Sequence, residues 1–130
     1  MIEQDEELLL KDICARLPYG VKYRTIGSDF AFTLKWIDKL NRLDGDVRLE
    51  NAKIFLRSLS SMTEEEIVEF NNISSTKNYT IIENDLPWDV AHYKQIDWLN
   101  AHHFDYRGLI LKGLAIEVTE NNNPYKEIEL

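Results

Sequence analysis

The chain has 130 residues, 44% of them hydrophobic and 29% charged, with 15 Lys and Arg against 23 Asp and Glu for a net charge of −8. Length and composition fit one globular domain that buries roughly two-thirds of its unfolded surface, and they argue against wholesale disorder. No apolar run approaches the roughly 20 residues of a membrane-spanning helix, and the acidic start Met1-Ile2-Glu3-Gln4-Asp5-Glu6-Glu7 is unlike a secretory leader. The lone Cys14 can close no internal disulfide, so the expected setting is cytoplasmic and the fold must rest on its core.

Glu7 to Leu17 reads as a first helix, with Leu9, Leu10, Ile13, Cys14 and Leu17 on one apolar stripe. On that stripe Cys14 reads as an inert core thiol. Asp5, Glu6 and Glu7 suit the positive end of the helix dipole, and Pro18 and Gly20 stop the helix. From Val21 the period changes to two. Val21, Tyr23 and Thr25 alternate with polar neighbours, Gly27-Ser28-Asp29 turns the chain, and Phe30, Phe32, Leu34 and Trp36 alternate in the return run. This pattern predicts a β-hairpin whose second strand turns its aromatics to the core. Leu43-Asp44-Gly45-Asp46 marks a turn, and Val47, Leu49 and Ile54-Phe55-Leu56 predict a third strand, bulged at Asn51-Ala52.

Thr63-Glu64-Glu65-Glu66 is the sharpest local signal. Thr63 can accept from the backbone N–H of Glu66 while the Glu66 carboxylate reaches back, a capping box that opens a short second helix. Asn78 to Glu83 predicts a strand, and Asn84 to Trp88 a loop. A helix is expected from Val90 to His103 and another from Asp105, as its cap, to Leu114, weakened by Gly108 and Gly113. Ala115 to Val118 predicts a closing strand. The expected architecture is one α+β domain over residues 1–120. A small antiparallel meander of three or four strands is flanked by the N-terminal helix and two or three C-terminal helices. Residues 121–130 form a loosely ordered tail.

Charge is uneven along the chain. Residues 21–57 hold eight basic and five acidic side chains, a local +3, which leaves −11 for the remainder. Such asymmetry can mark an anionic partner. Lys22, Arg24, Lys35 and Arg48 are therefore candidate partner-binding residues, on phosphates if the partner is nucleic acid. The plainer reading, a solvated strand face, is favoured, and the overall charge opposes DNA at long range. Aromatics beside lysines could also form a base-stacking platform. Core placement of Phe30, Phe32 and Trp36 is the better reading, which leaves Trp88 as the aromatic best placed to meet a partner.

Chemistry-bearing residues are densest at His102, His103, Asp105 and Arg107, with His92 and Asp97 one or two turns earlier. Metal sites on helices use i, i+3 or i, i+4 spacing, and neither His92 to Asp97 nor Asp97 to His102 fits. The favoured reading is a polar corner between elements, with no metal and no catalytic role. A metal-dependent hydrolase built on His102, His103 and Asp105 stands as an alternative. No serine elbow, phosphate loop or dinucleotide motif occurs, so no cofactor is implied.

Three blocks also carry a resemblance: Leu10 to Val21, Leu56 to Glu66, and Ile96 to Ile110. Together they resemble small uncharacterised proteins encoded by phages, prophages and mobile elements of gut anaerobic bacteria. The similarity is weakest between Gly20 and Leu56. It implies a phage or mobile-element gene set in a bacterial cytoplasm and no reaction. The functional expectation is thus a non-enzymatic accessory or interaction protein, meeting a protein partner or its own copy. A nucleic-acid module built on residues 21–57 is the alternative, and no membrane role is expected.

Overall fold

The first helix, α1 (Glu3–Arg16), begins four residues earlier than the apolar pattern suggests. Its buried face is Leu9, Asp12, Ile13 and Arg16, an i, i+3, i+4, i+7 stripe, half of it charged. Cys14 is exposed instead of lying in the core. Asp12 and Arg16 tolerate complete burial because they pair with one another and with neighbours. Arg16 Nε and Nη2 donate to the Asp12 carboxylate at 2.7 and 3.1 Å, and Nη2 also donates to the Phe104 carbonyl at 2.6 Å. Arg107 closes the group with a 2.8 Å bond to Asp12 Oδ1. An apolar-periodicity rule cannot register a buried face of this kind, and it assigned Cys14 to that face in place of Asp12.

The computed structural model describes residues 1–73 and 87–125, and their side chains except those of 87–92. Among them are three helices and a five-stranded sheet. A 3-10 turn (Leu17–Tyr19) and Gly20, in the left-handed region at φ 70°, end α1 and turn the chain into β1 (Lys22–Thr25). β1 pairs antiparallel with β2 (Phe32–Thr33) and with β3 (Ala52–Ser58), as the hairpin pattern predicts. Leu49–Asn51 is a 3-10 turn, so the third strand starts only at Ala52.

β3 is the centre of the sheet. Ile54 and Leu56 enter the main core with Leu9, Ile13, Tyr23, Leu43 and Leu109, while Phe55 packs on the other side with Val118 and Tyr125. Burial on both faces explains the unbroken apolar run Ile54-Phe55-Leu56. After β3 come α2 (Glu64–Ile73), opened by the predicted capping box, and α3 (Pro87–Ala101). The chain then returns along β3 as β4 (Phe104–Asp105) and β5 (Ala115–Glu117), both parallel to it.

The sheet is therefore mixed, not an antiparallel meander. Among the described residues two helices lie between β3 and β4, and a crossover of that length allows parallel pairing where a tight turn would not. The helix expected from Asp105 to Leu114 is absent. Residues 109–113 form turns, with Gly108 and Gly113 at φ 77° and 75°. The strand expected at Asn78–Glu83 lies outside the described residues. Tyr125 is 1% exposed: its hydroxyl donates to the Phe55 carbonyl at 2.7 Å and accepts from the Lys22 N–H at 3.0 Å. Tyr125, inside the segment expected as a tail, is thus fastened to the sheet, and residues 126–130 lie outside the described residues. Among the described residues no helix is long and apolar enough to cross a membrane.

Candidate interaction surface

The polar corner and the basic segment have different fates. At the corner, α3 ends with His103 in the left-handed region at φ 65°, a place usually taken by Gly or Asn. Its ring stacks on Tyr125 with centroids 3.8 Å apart. Burial, reinforced by the neighbouring charges of Arg16, His102, Arg57 and Lys22, pushes its pKa down to about 3, so the imidazole is neutral at physiological pH. His102 stacks on Trp98 at 4.1 Å, with Nδ1 2.9 Å from the Trp98 carbonyl. Asp105 accepts the N–H groups of Leu109 and Ile110, each at 3.0 Å. It fastens a turn instead of capping a helix. Arg107 serves Asp12. Each side chain of the corner is thus engaged in ring stacking, a hydrogen bond or an ion pair. Among the described residues no three His, Cys, Asp or Glu side chains gather as a metal ion would require.

The β1–β2 hairpin is open. Phe30 is 75% exposed, Trp36 52% and Phe32 47%, so only Leu34 of the alternating set reaches the core. β2 has two residues and lies at the edge of the sheet, and among the described residues no further strand covers that edge. Alternation sorts side chains between two faces, but it buries a face only where a second layer exists.

Asp44 organises the segment beyond β2. At φ 53°, its carboxylate accepts the Tyr23 hydroxyl at 2.7 Å, the Lys35 N–H at 2.9 Å and the Trp36 N–H at 3.3 Å. Burial first, and then the hydrogen bond and charge of Asp44, hold the Tyr23 phenol well above its ordinary pKa. Tyr23 therefore remains a donor to Asp44. Gly45 lets Trp36 lie close, because a Cβ there would stand 2.7 Å from Trp36 Cζ2. An open groove of about 480 Å³ results, lined by Lys22, Phe32, Thr33, Lys35, Trp36 and Asp44 among others.

The pairing register fixes which side chains share a face. Lys22 is opposite Thr33, and Arg24 opposite Lys53, so Lys22, Arg24 and Lys53 occupy one sheet face. Lys22 Nζ donates to Thr33 Oγ1 at 2.7 Å on that face. Tyr23 is opposite Phe32 on the other face, with ring centroids 5.8 Å apart. Like charges directly across strands are unfavourable, so the Arg24–Lys53 pair concentrates positive potential at some cost to the sheet.

Of the candidate partner residues, Lys22 and Lys35 share the groove and Arg24 lies one position along the same face as Lys22. Arg48 lies elsewhere, 3.8 Å from Glu50 in a depression shared with Glu6 and Arg42. Trp88 belongs to the first turn of α3 and not to a loop, and its side chain lies outside the described residues. Sequence reasoning missed Asp44 and Gly45 as organisers of the groove. The Asp-Gly pair announces a turn, but the reach of the carboxylate to Tyr23 and Lys35 depends on tertiary structure. No family model, curated protein or solved structure matches the chain.

Proposed function

We propose that the chain is a non-enzymatic interaction protein, an accessory of a phage or mobile-element gene set, whose working surface is the groove along β2. The observation that carries this reading is the exposure of Phe30, Phe32 and Trp36 within seven residues, beside Lys22 and Lys35. Aromatic rings held in the open on an edge strand are an aggregation liability unless a partner covers them. Asp44 and Gly45 spend a left-handed backbone and a buried phenol contact on holding Trp36 there. The similarity of three sequence blocks to proteins of phages and mobile elements supports the gene-set part of the reading.

Photo-crosslinking in the cells that produce the protein tests the surface. Benzoylphenylalanine at position 36 is expected to form a discrete adduct, whereas the same group at position 111, where Leu111 is 95% exposed, is not. Equal labelling at both positions, or none at position 36, overturns the reading. The mass of the adduct distinguishes a protein partner, a second copy and a nucleic acid.

A further inference from the structure

Resting on that reading, we infer that the occupant of the groove is an extended segment of another protein with acidic and apolar residues in alternation, added as a strand to β2. The free edge provides the first support. Leu34 N–H donates to the Val21 carbonyl at 2.9 Å, so the backbone of Leu34 faces β1. By the two-residue period of a strand, the N–H and C=O of Thr33, and those of Ala31 one step back, face away from β1. Among the described residues no strand pairs with that edge. The groove follows it, lined in succession by Ala31, Phe32 and Thr33. A row of outward donors and acceptors is what strand addition uses for affinity.

The two faces supply specificity. A strand laid on this edge sends alternate side chains to opposite faces. On one face they meet Lys22 with Arg24 and Lys53 beyond it, and on the other Phe32, while Lys35, Trp36 and Asp44 line the groove past the end of β2. Carboxylates complement the first face and apolar side chains the second. A single-stranded nucleic acid fits less well. It could stack bases on Phe32 and Trp36 beside Lys22 and Lys35, but it cannot use the outward row of backbone donors and acceptors.

A displayed library of random peptides of about 12 residues, sorted for binding to the purified protein, tests the inference. Peptides retained by the wild type are expected to alternate Asp or Glu with apolar residues. They should lose at least roughly tenfold in affinity against Ala31→Pro, which removes an outward N–H at a position where an edge strand tolerates proline. The double variant Lys22→Glu, Arg24→Glu should lose a similar factor and should regain binding with peptides whose acids are exchanged for lysine. Melting temperatures within a few degrees of wild type establish that both variants fold, and the charge-reversal arm decides the matter if Ala31→Pro does not. No enrichment, enrichment without alternation, or binding indifferent to both variants overturns the inference. Tighter binding of a thymidine 20-mer than of any peptide also overturns it, while leaving the surface reading intact provided the position-36 adduct forms.

Discussion

Arg57 and Glu66 meet end-on, Nη1 to Oε2 and Nη2 to Oε1, both at 2.8 Å, joining the end of β3 to the first turn of α2. The same Glu66 completes the capping box, accepting the Thr63 N–H at 2.9 Å while its own N–H donates to Thr63 Oγ1 at 3.1 Å. Arg57 is 1% exposed, so removing Glu66 strands a buried charge. Glu66→Ala is expected to cost about 3 kcal/mol, the lower end for a broken buried pair because the carboxylate is 18% exposed. Thr63→Ala removes only the cap and should cost about 0.5–2 kcal/mol. Urea midpoints of the two variants provide the comparison, and equal losses would refute the double role of Glu66.

Acid should destabilise the protein in two stages. His103 is held neutral, with its pKa down at about 3 against an ordinary 6.5, so below pH 6.5 the unfolded chain binds a proton that the folded chain does not. Its contribution is complete above pH 6.5 and is lost as pH falls towards 3, at up to about 1.4 kcal/mol per pH unit. Glu66 adds a second loss. Burial alone would raise its pKa, but Arg57 and the Thr63 N–H outweigh burial and lower it. Its contribution is present above the ordinary value of 4.5 and fades below it. His103→Asn keeps a residue suited to φ 65° and should flatten the upper stage in urea titrations between pH 7 and 5, while the lower stage persists.

Tyr125→Phe keeps the ring stacked on His103 but takes the hydroxyl from the Phe55 carbonyl and the Lys22 N–H. A loss of about 1–3 kcal/mol is expected. Amide exchange at Lys22 should accelerate more than at Leu34, whose N–H bonds to Val21 within the hairpin.

Gly45→Ala places a methyl group against the Trp36 indole and puts a side chain on a backbone at φ 85°. The backbone strain costs roughly 1–2 kcal/mol. The Trp36 indole N–H resonance should move in proton–nitrogen spectra while that of Trp98, in a separate cluster, stays in place. Peptide binding should fall as well.

Asp105→Ala deprives two backbone N–H groups of their acceptor and should cost about 1–3 kcal/mol. Binding at the β2 groove should be unchanged in the folded variant. A change in binding at unchanged stability, measured by calorimetry, would show that the corner has a ligand.

Local rules were sufficient where both partners lay within one turn of each other. The capping box at Thr63 and Glu66 needs only i, i+3 spacing, and the hairpin from Val21 needs only alternation and a glycine turn. The buried run Ile54-Phe55-Leu56 announced a strand, though not that Ala115–Glu117 and Phe104–Asp105 would lie parallel to it. That orientation depends on the crossover through α2 and α3. The positive bias of residues 21–57 was visible as a count, and Lys22, Arg24 and Lys35 followed from it. The sorting of Lys22, Arg24 and Lys53 onto one face and of Tyr23 and Phe32 onto the other depends on the β1–β2 and β1–β3 registers. Phe30, Phe32 and Trp36 are exposed because no second layer of the described residues covers them, and strand periodicity has the same form with or without one.

The fastening of Tyr125 to Lys22 and Phe55 bears on how the protein is born. The middle strand acquires its partners from both sides of it in sequence: β1 early, β4, β5 and Tyr125 late. Contacts so distant in sequence form slowly, because chain closure must come before they contribute. During synthesis, the edge of β3 that receives residues 115–117 stays bare until those residues have left the ribosome. A product interrupted before that point would hold an unfinished sheet and bare rings together, a form that cellular proteases recognise readily. Synthesis through residues 115–125 thus becomes a condition for presenting the groove in its finished shape.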